Sequence, residues 1–412
     1  MPGVWRAVAH SEGAVVIFHS PRACAHVART MDVGSDYRII GAGNLEEDAS
    51  VPVVSSVLEE KHSIFGGIER LGDCIDYVVK TYNPECIVIA NSCVAGVIGD
   101  DVDSMAKEKE AEYNLPVLTV DCYGFLDSEY FKGYYETTLS LIDRFLVPSV
   151  QEKKTAILIG DTGGPWINFT KEVTSILNRM GIKVLGGFPG YTPIREMPNI
   201  TRAEACFALT ARGQSHREIF KICEIMHDRF GMKYISDVFP IGISGTVAWI
   251  RKVGELYGLE KEAEAIIKQE LANFIVEKEK LLKITKDKSC YIVIGRLLDY
   301  FDPRNILETV KNLELDVKGI ILLDVYDEKN RMSMIEYLEK LTNIPIYVNL
   351  DDEEIINSVD IVFTTHDLKN LHAKALFIPM LNKAGFVGEL ELMKAVYRLL
   401  CSRIVGGGLT YV

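Results

Sequence analysis

The sequence predicts an α/β protein of mainly parallel sheets flanked by helices, and three observations carry that expectation. Short β-branched runs alternate with amphipathic stretches along the chain, the grammar of strand–helix–strand units. Two strongly apolar runs, 14–18 and 86–90, pass straight into turns that are marked by Pro21 in one case and by Gly96, Gly99 and Asp100 in the other. At 412 residues the chain is also too long for one ordinary core, so two or three domains are expected.

The elements follow in order. Strands are expected at 14–18, 37–40, 86–90 and 116–120. Between the second and third, Ile68, Leu71, Ile75, Val78 and Val79 recur at helical spacing, and Asn83-Pro84 stops that helix. The stretch 148–154 is polar and proline-marked, which places a boundary near 150. A second unit opens with a strand at 155–160, continues through a helix over about 167–180 and a strand at 182–185, and closes with a long amphipathic helix over 259–285. That helix puts Ala263, Ile266, Ile267, Leu271, Phe274, Ile275 and Leu281 on one side. A third unit starts at 290–295 and repeats the pattern through 318–324, 344–348 and 360–364. The tail Gly406-Gly407-Gly408 reads as a flexible end or the approach to a docking strand. The reading is three similar Rossmann-like α/β domains, 1–150, 151–288 and 289–412.

Composition narrows the function classes. With 48% hydrophobic and 25% charged residues the chain is a globular type, and its formal charge of −13 gives no basic footprint for nucleic acid. No apolar run approaches the roughly 18 residues of a membrane span, and the N-terminus has no signal-peptide pattern. No membrane association and a cytoplasmic location are expected.

The nine cysteines stand at 24, 74, 86, 93, 122, 206, 223, 290 and 401. An odd, irregular set without a secretion signal argues against a disulfide framework, and the lack of a Cys-x-x-Cys pair argues against a zinc ribbon or thioredoxin-type site. Cys24 and Cys93 each follow a buried strand to the carboxyl edge of a sheet, where α/β proteins keep their sites. Thiols brought there from distant positions suggest a shared metal centre; the other reading is two small buried hydrophobes. Cys122 follows the run 116–121 to the same edge, with Asp121 beside it as an oxygen donor, and a structural role stays open for it. Cys74 and Cys86 read as core, and Cys206, Cys223, Cys290 and Cys401 as packing residues. His366 and His372 are not spaced as a helical metal pair. Gly160-Asp161-Thr162-Gly163-Gly164 is a glycine-rich turn that reads either as an anion site at the next helix start or, more commonly for such turns, as a plain loop; it lacks the Lys-Ser/Thr of a P-loop, and Gly41-Ala42-Gly43 lacks the third glycine of a dinucleotide fingerprint. Asp100 and Asp101 read as helix caps.

Three segments carry a resemblance. His19-Ser20-Pro21-Arg22-Ala23-Cys24, then Ile64-Phe65-Gly66-Gly67, then Cys93 with Val97-Ile98-Gly99-Asp100-Asp101 follow one another. Together they resemble the P-cluster half of nitrogenase component 1 and its relatives. That family pattern is His-Gly-Pro-x-Gly-Cys, Phe-Gly-Gly, and Cys-x-x-x-x-Ile-Gly-Asp-Asp, with Ser20 and Ala23 standing here where relatives often carry glycine. Gly385-Phe386-Val387-Gly388 ahead of a helix extends the resemblance towards the C-terminus.

The resemblance implies the three-domain architecture and assigns Cys24 and Cys93 as ligands of an iron–sulfur cluster, either P-cluster-like with eight irons or [4Fe–4S]. The family's third cysteine lies upstream, at a position that falls before Met1, and Cys122 is the candidate to replace it. Pro198-Asn199 and Phe239-Pro240-Ile241-Gly242-Ile243 look more like the β-type than the α-type subunit. No cysteine stands near Ser215, where α-type chains hold their cofactor, so a FeMo-cofactor-like cluster is not expected in this chain by itself.

The implied partners are a paralogous α-type subunit, or a second copy, that completes an interfacial cluster, and a separate ATP-hydrolysing iron–sulfur reductase. The implied function is relay of low-potential electrons in a nitrogenase-like reductase. A scaffold for cofactor assembly is the alternative, and a cluster-free binding protein of periplasmic-binding-like architecture is a third reading. Because the P-loop set of backbone amides, lysine and hydroxyl is absent, the isolated chain is expected to bind no Mg-ATP. Tight, stoichiometric binding in a calorimeter would contradict this.

Overall fold

β1 (Ala14–His19) and β3 (Cys86–Ser92) are buried along their whole length. Strands covered on both faces read as continuous apolar runs, which is why the sequence exposes them so clearly. In the computed structural model the described residues are 1–27, 50–123, 130–160, 168–209, 217–295, 303–323, 328–348, 353–365, 368, 371–378, 384–403 and 409–411. The expected strand at 37–40, the Gly41–Gly43 turn, residues 161–164, Ser215, His366 and Gly406–Gly408 lie outside them.

The fold is α/β with three parallel sheets flanked by helices. In the first, β2 (Val53–Ser55), β1, β3 and β4 (Val117–Cys122) lie side by side in that order. Register pairs His19 with Asn91 and Ser92 with Cys122, so the ends of β1, β3 and β4 share one carboxyl edge. Helix Ile68–Tyr82 packs its apolar stripe on this sheet, with Leu71, Ile75 and Val78 against Val15, Ile17, Ile87 and Ile89. It ends at Asn83, which takes the left-handed conformation ahead of Pro84.

The second sheet has the order β6 (Lys183–Phe188), β5 (Glu152–Ile159), β7 (Ala203–Ala208) and β8 (Lys233–Tyr234). The third runs β11 (Ile346–Val348), β10 (Asp316–Leu322), β9 (Ser289–Ile294), β12 (Ile361–Thr364), β13 (Lys374–Phe377) and β14 (Leu409–Tyr411). A docking strand, β14, therefore follows the glycine tail and pairs with β13.

The chain divides into two compact units. One holds the first two sheets; the other holds the third sheet, helix Asn168–Arg179, and helices Gly242–Tyr257 and Glu260–Thr285. Among the described residues no helix is long and apolar enough to cross a membrane.

Three local expectations are corrected. Ile275 is 53% exposed, because apolar residues occur around much of helix Glu260–Thr285 and only Ala263, Ile266, Ile267, Phe274 and Leu281 reach the core. Cys401 is exposed at the end of helix Gly385–Cys401 and reaches the Tyr397 hydroxyl rather than a core. Cys122 does not follow its strand; it is the last, buried residue of β4. Truncation tests the first correction: Ile75→Ala should lower the unfolding free energy by about 2–5 kcal/mol, and Ile275→Ala by about 0.5 kcal/mol or less, in denaturant titrations.

Candidate metal centre

The three motif segments meet through one carboxyl group. His19 ends β1 fully buried, with Nδ1 at 2.9 Å from Ser56 Oγ and Nε2 at 3.0 Å from Asp100 Oδ2. The other oxygen of Asp100 accepts the Gly67 backbone N–H at 2.8 Å. A carboxylate only accepts, so Nε2 carries the imidazole proton and Ser56 donates to Nδ1 when the ring is neutral. Burial lowers the His19 pKa against the pull of Asp100, which favours that neutral ring.

Glycine at 67 leaves room for Leu58 and Asp100, which a side chain there would have to displace. A Cβ there would lie 2.3 Å from Leu58 Cδ2 and 2.9 Å from Asp100 Oδ2. Gly99, left-handed at φ 82°, ends helix Cys93–Ile98 and swings Asp100 back towards His19. Asp101 caps helix Val102–Tyr113 by accepting from Ser104 N–H at 3.1 Å, as the sequence suggested. Asp100 does not cap; it is the bridge.

This bridge brackets Cys24 and Cys93. Cys24 lies in the first turn of a helical segment that begins at Arg22, right after β1, its N–H donating to Pro21 O at 3.1 Å, and Cys93 is the first residue of its helix, after the Ser92 cap. Both are partly exposed. Burial, then the neighbouring Cys93, raises the Cys24 thiol pKa, so the two sulfurs are within electrostatic reach of each other. Cys122 sits one strand away, its Sγ turned to Val120 O at 3.6 Å; burial raises its pKa, and the Met1 amino group works against that rise.

Asp121 is held by Asn91, whose Nδ2 donates to Asp121 Oδ1 at 3.0 Å and to Tyr123 Oη at 3.3 Å. Burial and the Asp121 hydrogen bond push the Tyr123 hydroxyl up to about 12. Gly96 leaves room for this ring, since a Cβ there would come within 2.4 Å of Tyr123 Cε1. Sequence reasoning assigned no role to Ser56, Asn91 or Tyr123; a buried polar residue in the apolar run 86–90 to 92 was the available signal for Asn91.

Cys74, Cys86, Cys206, Cys223 and Cys290 are buried. His372 is exposed and lies outside the helices. An apolar patch adjoins the thiols: Ile64, Phe65 and Val97 are 76%, 85% and 80% exposed on the adjacent short helices His62–Phe65 and Cys93–Ile98.

Iron–sulfur clusters draw about four thiolates. Among the described residues no three His, Cys, Asp or Glu side chains converge on one metal position. The donor set of soft sulfurs fits an iron–sulfur group in kind, and in number it fits a group shared with ligands from elsewhere.

Comparison with known proteins gives the family and the fold. Residues 1–400 match the family described as nitrogenase component 1 type oxidoreductase. The nitrogenase molybdenum-iron protein alpha chain of Methanosarcina barkeri is 27% identical over 251 residues, covering 59% of this chain and 45% of that one. The nitrogenase iron-molybdenum cofactor biosynthesis protein NifE of Clostridium pasteurianum is 24% identical over 404 residues, covering 91% of this chain and 82% of that protein. The match thus spans less than half of the M. barkeri alpha chain and most of NifE. The solved structure "Nitrogenase Cp1 at pH 5" superposes with a TM-score of 0.68 at 18% identity, over 98% of this chain and 88% of that one, which shows the shared fold. The β-type likeness of the 239–243 segment remains a resemblance of sequence.

Removing the bridge is a direct test of the site. Asp100→Ala leaves a buried imidazole and a backbone N–H without their acceptor, and should lower the unfolding free energy by about 1–3 kcal/mol in denaturant titrations. An unchanged stability would show that the bridge is not formed in solution.

Proposed function

The chain belongs to the family of nitrogenase component 1 type oxidoreductases, and on that premise we propose that it is a subunit of a nitrogenase-like reductase complex. In this reading it relays low-potential electrons through an iron–sulfur cluster at an interface between chains. The observation that carries the reading is the pairing of two partly exposed thiols, Cys24 and Cys93, with a bare apolar patch beside them. When bound, the cluster supplies one-electron chemistry at a potential set by its ligands, hydrogen bonds and burial.

This chain's residues do the rest. Cys24 and Cys93 would hold the cluster, Cys122 is the third thiol at that edge, and the His19–Asp100–Gly67 bridge ties together the strand end and helix starts that carry the first two. Ile64, Phe65 and Val97 exclude water once a partner covers them. The partner of the proposal is a paralogous α-type subunit, with a second copy of this chain next. A separate iron–sulfur reductase hydrolyses ATP and delivers electrons, in the cytoplasm. The folding units of the proposal are 1–150, 151–288 and 289–412.

A second reading, a scaffold that carries a cofactor during assembly, is favoured by the NifE match along 91% of the chain. The two separate by turnover: a reductase subunit sustains reductant-dependent substrate reduction with its partners, whereas a scaffold passes on its cluster once.

Both readings require iron at the thiols. Cys93→Ala should cut the iron bound after anaerobic purification with the partner severalfold, while the buried Cys223→Ala should leave it within error. Equal iron in the two variants, or none in the wild type, would refute the assignment.

A further inference from the structure

Helix Gly385–Cys401 carries a carboxyl group into a place that water does not reach. Glu389 is 4% exposed and faces helix Pro303–Asn312. Its Oε1 accepts from Asn312 Nδ2 at 3.2 Å, and its Oε2 lies 3.1 Å from Thr309 Oγ1. Thr309 Oγ1 also lies 3.0 Å from the carbonyl of Asn305, which can only accept.

A hydroxyl has one proton to give. When Thr309 gives it to Asn305 O, the contact with Glu389 is a hydrogen bond only if Glu389 brings a proton of its own. The neutral acid satisfies every partner: Oε2–H donates to Thr309, Thr309 donates to Asn305 O, and Oε1 accepts from Asn312. The ionised acid takes the Thr309 proton away from Asn305 and remains a buried charge.

No cation among the described residues compensates that charge. Helix Pro303–Asn312 presents Glu308, which repels it and is itself held by Ser244 N–H and Oγ–H at 2.9 and 3.0 Å. The other elements packed on helix Gly385–Cys401 commit their charges elsewhere. Glu277 of helix Glu260–Thr285 pairs with Lys394, Arg251 of helix Gly242–Tyr257 pairs with Glu264, and Lys374 of β13 donates to the carbonyls of Leu400 and Ser402. Glu172 of helix Asn168–Arg179 lies against Gly385, among Glu270, Glu391 and Arg179, and Arg179 is paired with Glu270.

We infer that Glu389 is held as a neutral acid and makes the docking of helix Gly385–Cys401 on helix Pro303–Asn312 depend on one proton. Burial first, and the repulsion from Glu308 after it, push this carboxyl up from 4.5 to about 7, with Asn312 and Thr309 opposing. The sign follows from the raised value. The folded chain holds the proton more tightly than the unfolded one, so the contribution to stability is full below about pH 4.5, declines as pH rises towards 7, and is gone above it. The same helix begins at Gly385, whose N–H donates to Pro240 O at 2.7 Å. The proton therefore bears on how firmly the Gly385–Gly388 and Phe239–Ile243 motifs are held together. This inference does not depend on any cluster being bound.

The test uses the full chain and Glu389→Gln, whose amide imitates the neutral acid: Nε2 donates to Thr309 and Oε1 accepts from Asn312. Denaturant midpoints are measured from pH 5 to 8.5. The folding equilibrium of the wild type should fall relative to that of Glu389→Gln by up to roughly tenfold per pH unit across the window below pH 7, then run parallel above it. Amide exchange in 385–401 should quicken in the wild type at pH 8.5 and stay slow in the variant. Parallel profiles over the whole range would overturn the inference. A variant that fails to fold leaves a second measurement: in a Glu172→Gln background, the infrared band of a protonated carboxyl should be present at pH 5.5 and lost by pH 8.5. Absence of that band at pH 5.5 would overturn the inference as well.

Discussion

Asp100 is the contact on which the site depends. One carboxyl group joins the end of β1 through His19 to the helix start at Gly67, and does so from the segment that begins with Cys93. These segments are 81 and 33 residues apart along the chain. A buried network of this kind is unforgiving, because a partner lost leaves a desolvated polar group behind. It also explains two glycines of the motif. A side chain at Gly67 would occupy the space of Leu58 and Asp100, and a side chain at Gly99 would strain a left-handed turn with φ 82°. The Ile-Gly-Asp-Asp and Phe-Gly-Gly signatures are thus two halves of one hydrogen-bonded joint, with Asp101 left free to cap the next helix.

Much of the fold is legible in the sequence, for identifiable reasons. β1, β3 and β9 are buried on both faces and stand out as apolar runs; helix Ile68–Tyr82 buries a single stripe and stands out by its period. What escapes is short or two-sided. β2 spans Val53–Ser55, too few residues for a pattern, yet it pairs with β1 and completes the edge of the first sheet. Helix Glu260–Thr285 is apolar around much of its circumference, so its periodicity wrongly places Ile275 in the core. Of the site, the thiols and glycines are visible as a spaced motif. The partners of His19 and Asn91 are not, because hydrogen bonds between distant side chains leave no trace in local sequence.

In the proposed function, two thiols on one chain, within electrostatic reach and next to Ile64, Phe65 and Val97, are part of a binding surface. Family membership supplies the iron–sulfur context, and the relatives divide between a catalytic subunit and a cofactor-biosynthesis protein. In the proposed function either role asks the same of this chain: sulfur ligands at helix starts held rigidly enough to meet ligands from elsewhere. In the proposal the bridge at Asp100 provides that rigidity in both cases.

The central claim is that this bridge positions Cys24 and Cys93 for a cluster. Iron and sulfide analysis with EPR, on anaerobically prepared wild type and Asp100→Ala matched for folded content by circular dichroism, tests it most directly. The account predicts a cluster signal in the wild type and its loss or clear alteration in Asp100→Ala, with severalfold less iron. Equal iron and superimposable spectra would contradict it.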